Sequence, residues 1–484
     1  MSENGAWLIL YSTGLKTSSK RNSWSFDLVT LGGGSAGYAA ARTAAAAGLK
    51  TAVIEGGKEV GGLCILRGCM PSKALLYAAE VLHLARSAKT WGLKIPKAAF
   101  DFKAVMARKN AMIAEFARDR RNSLTTGKFE FIRARAQFVD PHTVELFGTK
   151  GAAPKFVKSK HFIISTGSEV SRVNVPGLAE IGYLTSDDAL SLRKLPRSLI
   201  VLGAGPVGIE LAQFLRRFDV EVTLIQRSGR LLREFDADAA AVVEHVLQRE
   251  GIRVWKDATL LEAFRQGRHK GVAFHQHGQV RRAVAEDILF ALGRAPTTAG
   301  LELHKAGVEA HNGRIVTTAE MQTSALHIYA AGDCTGPYEI VHIAVEQGEI
   351  AAHNIVHPSA KRCIDYRLLT NVVFTDPQLA TVGLTEHTAR ERNIPYRSAS
   401  YPFNDHGKSL IMEAKDGFVK LLADPVSGEI LGGACVGPLG GELIHEIIAA
   451  MHKRMTAREL ALMPHYHPTL AEIWTYPAAE LAGL

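Results

Sequence analysis

The feature that most constrains this chain is a glycine-rich loop between an apolar strand and a helix, followed by a second strand. The first copy begins with the apolar run 26–31 and enters the loop 32–37, Gly-Gly-Gly-Ser-Ala-Gly. An alanine-rich helix to about Ala47 and an apolar strand over 51–54 complete the unit. This is the context in which G-x-G-x-x-G binds a dinucleotide.

Each glycine of this loop has a physical task. Gly32 permits the tight turn, Gly34 lets the backbone approach a pyrophosphate, and Gly37 lets the helix pack closely on the strand. The N-terminus of the helix offers free N–H groups to the phosphates. Glu55 ends the second strand, about 20 residues on, where a carboxylate accepts hydrogen bonds from ribose hydroxyls.

A second copy of the unit starts near residue 198. The apolar run 198–202 leads into Gly203, Gly205 and Gly208, then a helix to about 218 and a strand over 220–225. One such loop is weak support for a nucleotide site, and two chance glycine-rich turns are the alternative. Two copies in full context predict two dinucleotide sites in an α/β chain.

The two predicted sites differ at the residue that reads the ribose. Gln226 stands where the first unit has Glu55, and Arg227 and Arg233 follow it. Loss of the carboxylate removes repulsion against a 2′-phosphate, and arginines supply paired donors for it. We therefore expect FAD in the first site and NADPH in the second. Gly208 as third glycine is more usual in NADH sites, so NADH stays open, and the alternative for the arginines is ordinary surface charge.

Two cysteines follow the first unit directly. Cys64 lies in a glycine-flanked segment expected to be a loop, and Cys69 lies beside Pro71, which suits the first turn of a helix. A helix N-terminus and the nearby Arg67 would both favour a Cys69 thiolate. A structural zinc site needs four ligands, and no second cysteine pair exists. The pattern predicts a redox-active pair, with two inert thiols as the alternative.

Composition narrows the class of protein. A chain of 484 residues is too long for one core, so several domains are expected. The net charge of +9 comes from scattered residues, which predicts no nucleic-acid partner, and no apolar run approaches the ~18 residues that span a bilayer. Five cysteines are too few and too odd a number for a secreted disulfide framework. We expect a cytoplasmic protein whose residues 1–25 form a loose, flexible extension, with a weak organelle-targeting segment as the alternative.

The segment 61–73, Gly-Gly-Leu-Cys-Ile-Leu-Arg-Gly-Cys-Met-Pro-Ser-Lys, resembles the active-site signature of the class I pyridine nucleotide-disulfide oxidoreductases. Dihydrolipoamide dehydrogenase, glutathione reductase and mercuric reductase belong to that family. The resemblance covers the chain from about residue 26 onward. It implies two Rossmann-like domains and a C-terminal α+β dimerisation domain. The expected boundaries are an FAD-binding domain over 26–185 and 296–366, an NAD(P)-binding domain over 186–295, and a dimerisation domain over 367–484.

The resemblance also implies further cofactor contacts. The strand ending in Gly-Asp corresponds to 327–333, so Asp333 would bind the ribityl region of FAD. Thr166 and Gly167 match the crossover near FAD, and Gly293 matches the return from the nicotinamide domain. Arg67 departs from the family pattern, where a small or apolar residue is commoner, and this leaves the substrate open.

Two charged pairs complete the match. Lys73 and Glu210 correspond to the ion pair beside the flavin, with an exposed lysine and a surface glutamate as the alternative. His467, before a proline, corresponds to the acid/base, and Glu472 to its carboxylate partner. Histidine suits this role because its ordinary pKa lies near neutrality. In the family this motif reaches the partner subunit's disulfide, so an obligate homodimer is expected. No metal is expected, although His465 with His467 is an alternative.

The implied activity carries electrons from NADPH through FAD and the cysteine pair to a small disulfide, as in dihydrolipoamide dehydrogenase. One alternative is a mercuric reductase, although such enzymes carry a cysteine pair near the C-terminus and residues 476–484 contain none. Another is a soluble transhydrogenase, although such enzymes tend to lack one active-site cysteine. The alternative from another class is a non-catalytic flavoprotein that senses redox state or serves a lipoyl complex. The intact pair and the histidine favour the enzyme.

Overall fold

The computed structural model describes residues 25–148 and 155–484. The expected flexible extension lies outside the described residues except for Ser25. The first part of the chain forms β1 (Phe26–Leu31), α1 (Ser35–Ala46), β2 (Thr51–Glu55), α2 (Gly62–Arg67), α3 (Cys69–Ser87), α4 (Phe102–Thr125), β3 (Glu130–Arg133), β4 (Arg135–Asp140), β5 (Thr143–Phe147), β6 (Lys155–Ile164), β7 (Ser168–Val170), α5 (Leu178–Ile181) and α6 (Ser186–Ala189).

A twisted sheet organises this part. β1 is almost completely buried because it lies in the middle, between the parallel strands β2 and β6. The order is β3-β2-β1-β6-β5-β4, and β4 and β5 join antiparallel. A late strand, β18 (Ile328–Ala330), pairs in parallel with β6 and makes this a 7-stranded sheet. The chain therefore leaves this sheet and returns to it.

The middle part of the chain forms β8 (Ser198–Leu202), α7 (Pro206–Arg217), β9 (Glu221–Ile225), α8 (Ala237–Arg249), β10 (Arg253–Trp255), β11 (Thr259–Gln266), β12 (His269–Gln276), β13 (Gln279–Ala285), β14 (Asp287–Phe290) and β15 (Arg294–Pro296). Its core is a 4-stranded parallel sheet of order β10-β9-β8-β14. A 3-stranded antiparallel sheet, β11-β12-β13, packs beside it, and sequence reading gave no sign of it. The return to the first sheet passes through β15, which pairs with β7.

The last part forms β16 (Ala310–His311), β17 (Arg314–Ile315), α9 (Val341–Val356), β19 (Thr370–Val373), β20 (Gln378–Gly383), α10 (Glu386–Glu391), β21 (Arg397–Pro402), α11 (Gly407–Ile411), β22 (Phe418–Ala423), β23 (Ile430–Gly437), α12 (Gly440–His452), α13 (Ala457–Leu462) and α14 (Thr475–Ala482). The five strands β19-β20-β23-β22-β21 make an antiparallel sheet, which α12 and α14 cover. The architecture is therefore mixed α/β, as expected, while the residue boundaries of the domains stay predictions.

Candidate active site

The first glycine loop is shaped by close backbone packing. Gly32 has a φ of +110°, and a Cβ there would lie 2.3 Å from the carbonyl oxygen of Ser165. A Cβ on Gly37 would lie 1.9 Å from the carbonyl oxygen of Gly32, so the start of α1 touches the end of β1. At Gly34 nothing lies within 4 Å of the Cβ position. The loop is thus closed on its protein side and open where a pyrophosphate would approach.

Glu55 is held by the same loop. Its Oε2 accepts a hydrogen bond from the backbone N–H of Gly33 at 2.8 Å, and its Oε1 accepts one from Gly57 at 2.6 Å. Each carboxylate oxygen keeps a further lone pair for a ribose hydroxyl. The sequence assigned Glu55 only to the ribose, and the structure adds that it ties the end of β2 to the loop.

The second glycine loop repeats this geometry. Gly203 has a φ of +99°, and its Cβ position lies 2.4 Å from the carbonyl oxygen of Ala291. A Cβ on Gly208 would lie 2.2 Å from the carbonyl oxygen of Gly203, while Gly205 has nothing within 4 Å. The two loops therefore impose the same steric conditions at equivalent positions, which supports the reading of two dinucleotide sites.

Gln226 occupies in the second unit the place of Glu55 in the first. Its Oε1 accepts from the backbone N–H of Ala204 at 3.1 Å, as Glu55 accepts from Gly33. Its Nε2 donates to Ser228 Oγ at 2.6 Å. A neutral amide therefore keeps the loop contact and removes the negative charge from the ribose position.

The arginines after β9 differ in what they contact. Arg230 donates to the carbonyl oxygen of Arg233, so its guanidinium is occupied within the loop. Arg227 and Arg233 are exposed. No hydrogen bond or ion pair fixes either of these two side chains among the described residues. They are free to bind an anionic group at the rim of the second loop.

Two segments distant in sequence meet where β6 and β18 end side by side. Thr166 Oγ1 is buried and has no hydrogen-bond partner within the residues that the structure describes. Asp333 Oδ2 accepts from Ser168 Oγ at 2.6 Å, and Ser168 Oγ accepts from Arg294 Nε at 2.8 Å. A buried hydroxyl rarely stays unpaired, so Thr166 Oγ1 fits a polar group of a bound cofactor.

Where β6 and β18 end, the backbone adopts positive φ angles at two glycines. Gly167 has a φ of +72° and Gly293 a φ of +116°, both in the region that favours glycine. The structure thus brings the predicted residues Thr166, Gly167, Gly293 and Asp333 to one place. The sequence did not indicate that Ser168 links Asp333 to Arg294. Its position directly after Thr166 and Gly167 was the one signal that could have suggested a role.

The cysteines lie on two consecutive helices. Cys69 is the first residue of α3, as the prediction of a helix near Pro71 required. The expected loop around Cys64 is wrong, because Cys64 lies within the short helix α2. A Cβ on Gly62 would lie 2.9 Å from Gly34 Cα, so the start of α2 packs directly on the first glycine loop. This contact places the cysteines beside the predicted FAD site.

The two thiols are unequal. Both are free and half-buried, and a hydrogen bond from Cys64 is the largest influence on Cys69. That bond, assisted by the ammonium of Lys73, lowers the pKa of Cys69 to about 7 against the opposing effect of burial. The same bond, together with burial, raises the pKa of Cys64. The reduced pair therefore carries its negative charge on Cys69.

Arg67 is not among the main influences on the pKa of Cys69, contrary to expectation. Its guanidinium lies 2.5 Å from Glu59 Oε2 and 3.7 Å from Asp187 Oδ2. The cation that lowers the pKa of Cys69 is instead Lys73, one helical turn along α3. The helix places residues four apart on one face, whereas Arg67 ends α2 and points to a different neighbour.

Lys73 and Glu210 form an ion pair between α3 and α7. Lys73 Nζ lies 2.8 Å from Glu210 Oε2, and Glu210 is almost fully buried. Glu210 Oε1 accepts from the backbone N–H of Phe374, whose ring lies 4.5 Å from Lys73 Nζ. The alternative of two surface charges is therefore excluded. A buried pair is retained at a cost in desolvation, and these extra bonds offset it.

His467 and Glu472 form the second predicted pair. His467 Nδ1 lies 3.0 Å from Glu472 Oε2 and 3.2 Å from Oε1. The carboxylate is largely buried, whereas 78% of the His467 side chain is exposed. No hydrogen bond joins this histidine to either redox cysteine within the described chain. Because Nδ1 is held by Glu472 and most of the side chain is exposed, Nε2 is the ring nitrogen left for a further contact.

The neighbouring His465 is engaged elsewhere. Its Nε2 lies 2.6 Å from Glu446 Oε1 and its Nδ1 lies 2.9 Å from the carbonyl oxygen of Met463. Among the side chains of 25–148 and 155–484, no group of three or more His, Cys, Asp or Glu residues is placed to hold a metal ion. In the same ranges no helix is long and apolar enough to cross a bilayer.

Comparison with known proteins identifies the family. Residues 26–348 match the model of the pyridine nucleotide-disulphide oxidoreductases, and residues 369–478 match the dimerisation domain of the same family. The chain belongs to the class I pyridine nucleotide-disulfide oxidoreductases. It is an FAD-dependent enzyme of the family whose members use FAD and NAD(P)H, which confirms the expected cofactors. Its dimerisation domain indicates the homodimer typical of the family.

Individual relatives divide between two activities. The chain is 36% identical to a dihydrolipoyl dehydrogenase of Thermus scotoductus, over 92% of this chain and 95% of that one. It is 34% identical to a mercuric reductase of Bacillus cereus, over 93% of this chain and 70% of that one. Among solved structures, LpdA of Mycobacterium tuberculosis superposes with a TM-score of 0.85 at 28% identity, covering 94% of this chain and 99% of that one. The HOCl-induced flavoprotein disulfide reductase RclA of Escherichia coli gives 0.82 at 25% identity, with the same coverage.

Proposed function

We propose that this enzyme reduces a small disulfide with NADPH, in the manner of a dihydrolipoamide dehydrogenase. The observation that carries the proposal is the unequal thiol pair, Cys64 and Cys69, packed against the first glycine loop through Gly62. FAD supplies the two-electron relay between nicotinamide and sulfur when bound. Two electrons and one proton from NADPH, with one proton from solvent, convert the substrate disulfide to a dithiol.

In this proposal the cysteines divide the work. The Cys69 thiolate lies toward the flavin, beside Lys73, and Cys64 faces the substrate. After the pair is reduced, Cys64 loses its proton and attacks one substrate sulfur, so a mixed disulfide forms and the other sulfur leaves. Cys69 then attacks Cys64, which releases the second substrate thiolate and restores the disulfide of the pair.

The departing thiolates need protons, and we assign this role to His467 of the partner subunit. Its exposed Nε2 is the donor, and Glu472 holds Nδ1–H and fixes the ring. A positioned carboxylate of this kind also stabilises the imidazolium form.

The remaining site residues bind the cofactors in this proposal. FAD is bound by Gly32, Gly34, Gly37, Glu55, Thr166, Gly167, Gly293 and Asp333, and NADPH by Gly203, Gly205, Gly208, Gln226, Arg227 and Arg233. We place the enzyme in the cytoplasm.

A screen of the purified, FAD-loaded protein tests the proposal. Lipoamide, glutathione disulfide and mercuric ion are each supplied with NADPH or NADH, and nicotinamide oxidation is followed. We expect about one FAD per chain and NADPH-dependent loss of lipoamide. Faster reduction of mercuric ion than of either disulfide would favour the activity named for the Bacillus cereus relative. A flavin that NADPH reduces but that no disulfide reoxidises would instead indicate a non-catalytic flavoprotein.

A further inference from the structure

Behind the pair formed by His467 and Glu472 lies a second histidine that sequence reading did not single out. His406 precedes α11 and is completely buried. Its Nε2 lies 3.4 Å from Glu472 Oε1, and His467 Nδ1 lies 3.0 Å from Glu472 Oε2. The Glu472 carboxylate is therefore close to two imidazoles, an exposed one and a buried one.

The tautomer of His406 follows from its other nitrogen. Nδ1 lies 2.8 Å from Ser409 Oγ, a hydroxyl that is itself completely buried. If Nδ1 carried the hydrogen, the lone pair of Nε2 would face the carboxylate and repel it. With Ser409 donating to Nδ1, the hydrogen lies on Nε2 and points to Glu472. Burial also lowers the pKa of His406, so the ring is neutral near pH 7 and carries one hydrogen.

Among the described residues, Glu472 is the one acidic group recorded close to His406 Nε2. This nitrogen is buried and meets no ideal hydrogen bond within the described parts of the chain, although Glu472 Oε1 is close. Around the ring, Tyr476 on α14 meets it edge-on at 6.4 Å between centroids, and Tyr401 of β21 stacks on Tyr476. The charged groups that act on His406 are Glu472 and, beyond it, His467, and the titratable side chain whose ring it meets is Tyr476. Hydrogen bonds at catalytic groups are often long before substrate binds and shorten during the reaction.

We propose that His406 is a positioning residue, whose Nε2–H binds the Glu472 carboxylate and keeps it ionised while His467 gains and loses its proton. This inference rests on the proposed disulfide reduction. Without the bond, the full charge of Glu472 faces His467 and the pair holds its proton more tightly. Protonation of the pair then persists to higher pH. Reduction of the disulfide and its reverse both depend on this proton. The pH–rate profiles of the two directions should therefore shift the same way.

The test compares His406→Leu with His406→Gln in the full-length, FAD-loaded dimer. The amide of glutamine places an N–H donor near the position of Nε2, whereas leucine has none. NADPH-reduced enzyme is mixed with lipoamide, or with glutathione disulfide if lipoamide is not reduced, and the rate is measured from pH 5 to 10. We expect the midpoint of the profile to rise by about one pH unit in His406→Leu. His406→Gln should restore it, and Ser409→Ala should shift it partly in the same direction.

Controls separate this role from a structural one. Reduction of the flavin by NADPH should be unchanged in each variant, and His387→Leu, on α10 of the same domain, should leave the midpoint unmoved. Equal midpoints in wild type, His406→Leu and His406→Gln would overturn the inference while leaving the function intact. If His406→Leu does not fold, an unshifted midpoint in Ser409→Ala overturns it instead. A wild-type enzyme that reduces neither disulfide would overturn the proposed function and the inference together.

Discussion

At the scale of single residues, one hydrogen bond makes two neighbouring thiols different. Cys64 donates to Cys69, and this bond has a larger effect on the pKa of Cys69 than the nearby ammonium of Lys73. Cys64 itself is shifted in the opposite direction. A thiol and a thiolate that share a proton titrate as a pair, so the asymmetry belongs to both residues. Cys69 is therefore the thiolate of the reduced pair. Cys64 becomes a nucleophile toward substrate only after it has lost its proton.

The first prediction uses this bond. Reduced enzyme should show a long-wavelength absorption band from the Cys69 thiolate against oxidised flavin, which fades as the pH falls through about 7, the pKa of Cys69. Cys64→Ser retains a donor and should keep the band near that pH. Cys64→Ala loses the donor, so the pKa of Cys69 rises and the band should appear only at higher pH. Absorbance titration measures this, and a band that survives in Cys69→Ser would show that the two roles are reversed.

The second prediction distinguishes two cations close to the pair. Arg67 is bound to Glu59 and Asp187, so Arg67→Met should leave the pH at which the band fades unchanged. Lys73→Met combined with Glu210→Gln leaves no unpaired buried charge. It should move that pH upward, because Lys73 lowers the pKa of Cys69 by more than Glu210 raises it. The same absorbance titration applies to both variants. A shift in Arg67→Met as large as that of the double variant would contradict this assignment.

At the scale of elements, two strand–loop–helix–strand units are built alike and differ in one charge. In each unit a side chain at the end of the second strand accepts a bond from the second residue of the glycine loop. Glu55, the last residue of β2, accepts from Gly33, and Gln226, the residue after β9, accepts from Ala204. The contact is preserved while the charge is not. Selectivity for the ribose group can therefore change without altering the loop.

The third prediction follows from that equivalence. Gln226→Glu should keep the bond to Ala204 but repel a 2′-phosphate, so the ratio of kcat/KM for NADPH to that for NADH should fall. Arg227→Ala with Arg233→Ala should lower the same ratio, since each loses a charge-assisted bond of ~1.5–3 kcal/mol. Steady-state kinetics with both nicotinamides measure the ratio, and FAD content serves as the control. An unchanged ratio in the double variant would mean that these arginines do not bind the phosphate.

At the scale of the whole molecule, buried charges join the nicotinamide-binding part to the dimerisation domain. Arg217 on α7 lies 2.6 Å from Glu250 and 2.8 Å from Asp376, which follows β19. Lys420 of β22 is buried against a group of carboxylates that includes Asp236 before α8. Such pairs fix geometry more than they stabilise the fold, because removing one partner leaves a buried charge unpaired. They hold the domain that carries His467 in a defined position against the rest of the chain.

The fourth prediction concerns the shared site. Homodimers of Cys64→Ser and of His467→Ala should each lose disulfide reduction, His467→Ala by about 10²–10⁴-fold, while NADPH still reduces the flavin. A purified heterodimer of the two variants has one site with both residues intact if His467 serves the partner subunit. Because one of its two sites is intact, the heterodimer should recover about half of wild-type activity. This holds if the contribution of His467 has the usual size for general acid–base catalysis. A heterodimer as inactive as its parents would show that both residues act within one subunit.

The sequence alone determined the parts of this protein whose physics is local. The two glycine loops, the residues Glu55 and Gln226 that we propose contact the ribose, and the cysteine pair each depend on backbone conformation within some thirty residues, so their spacing could be read directly. Tertiary structure decided what depends on residues far apart: that Thr166 meets the end of β18, that Arg67 turns away from the cysteines, and that His406 lies behind Glu472. Those contacts arise from packing between elements distant in sequence. No periodicity or motif in either partner records them, because the neighbour that gives each residue its role is supplied by the fold.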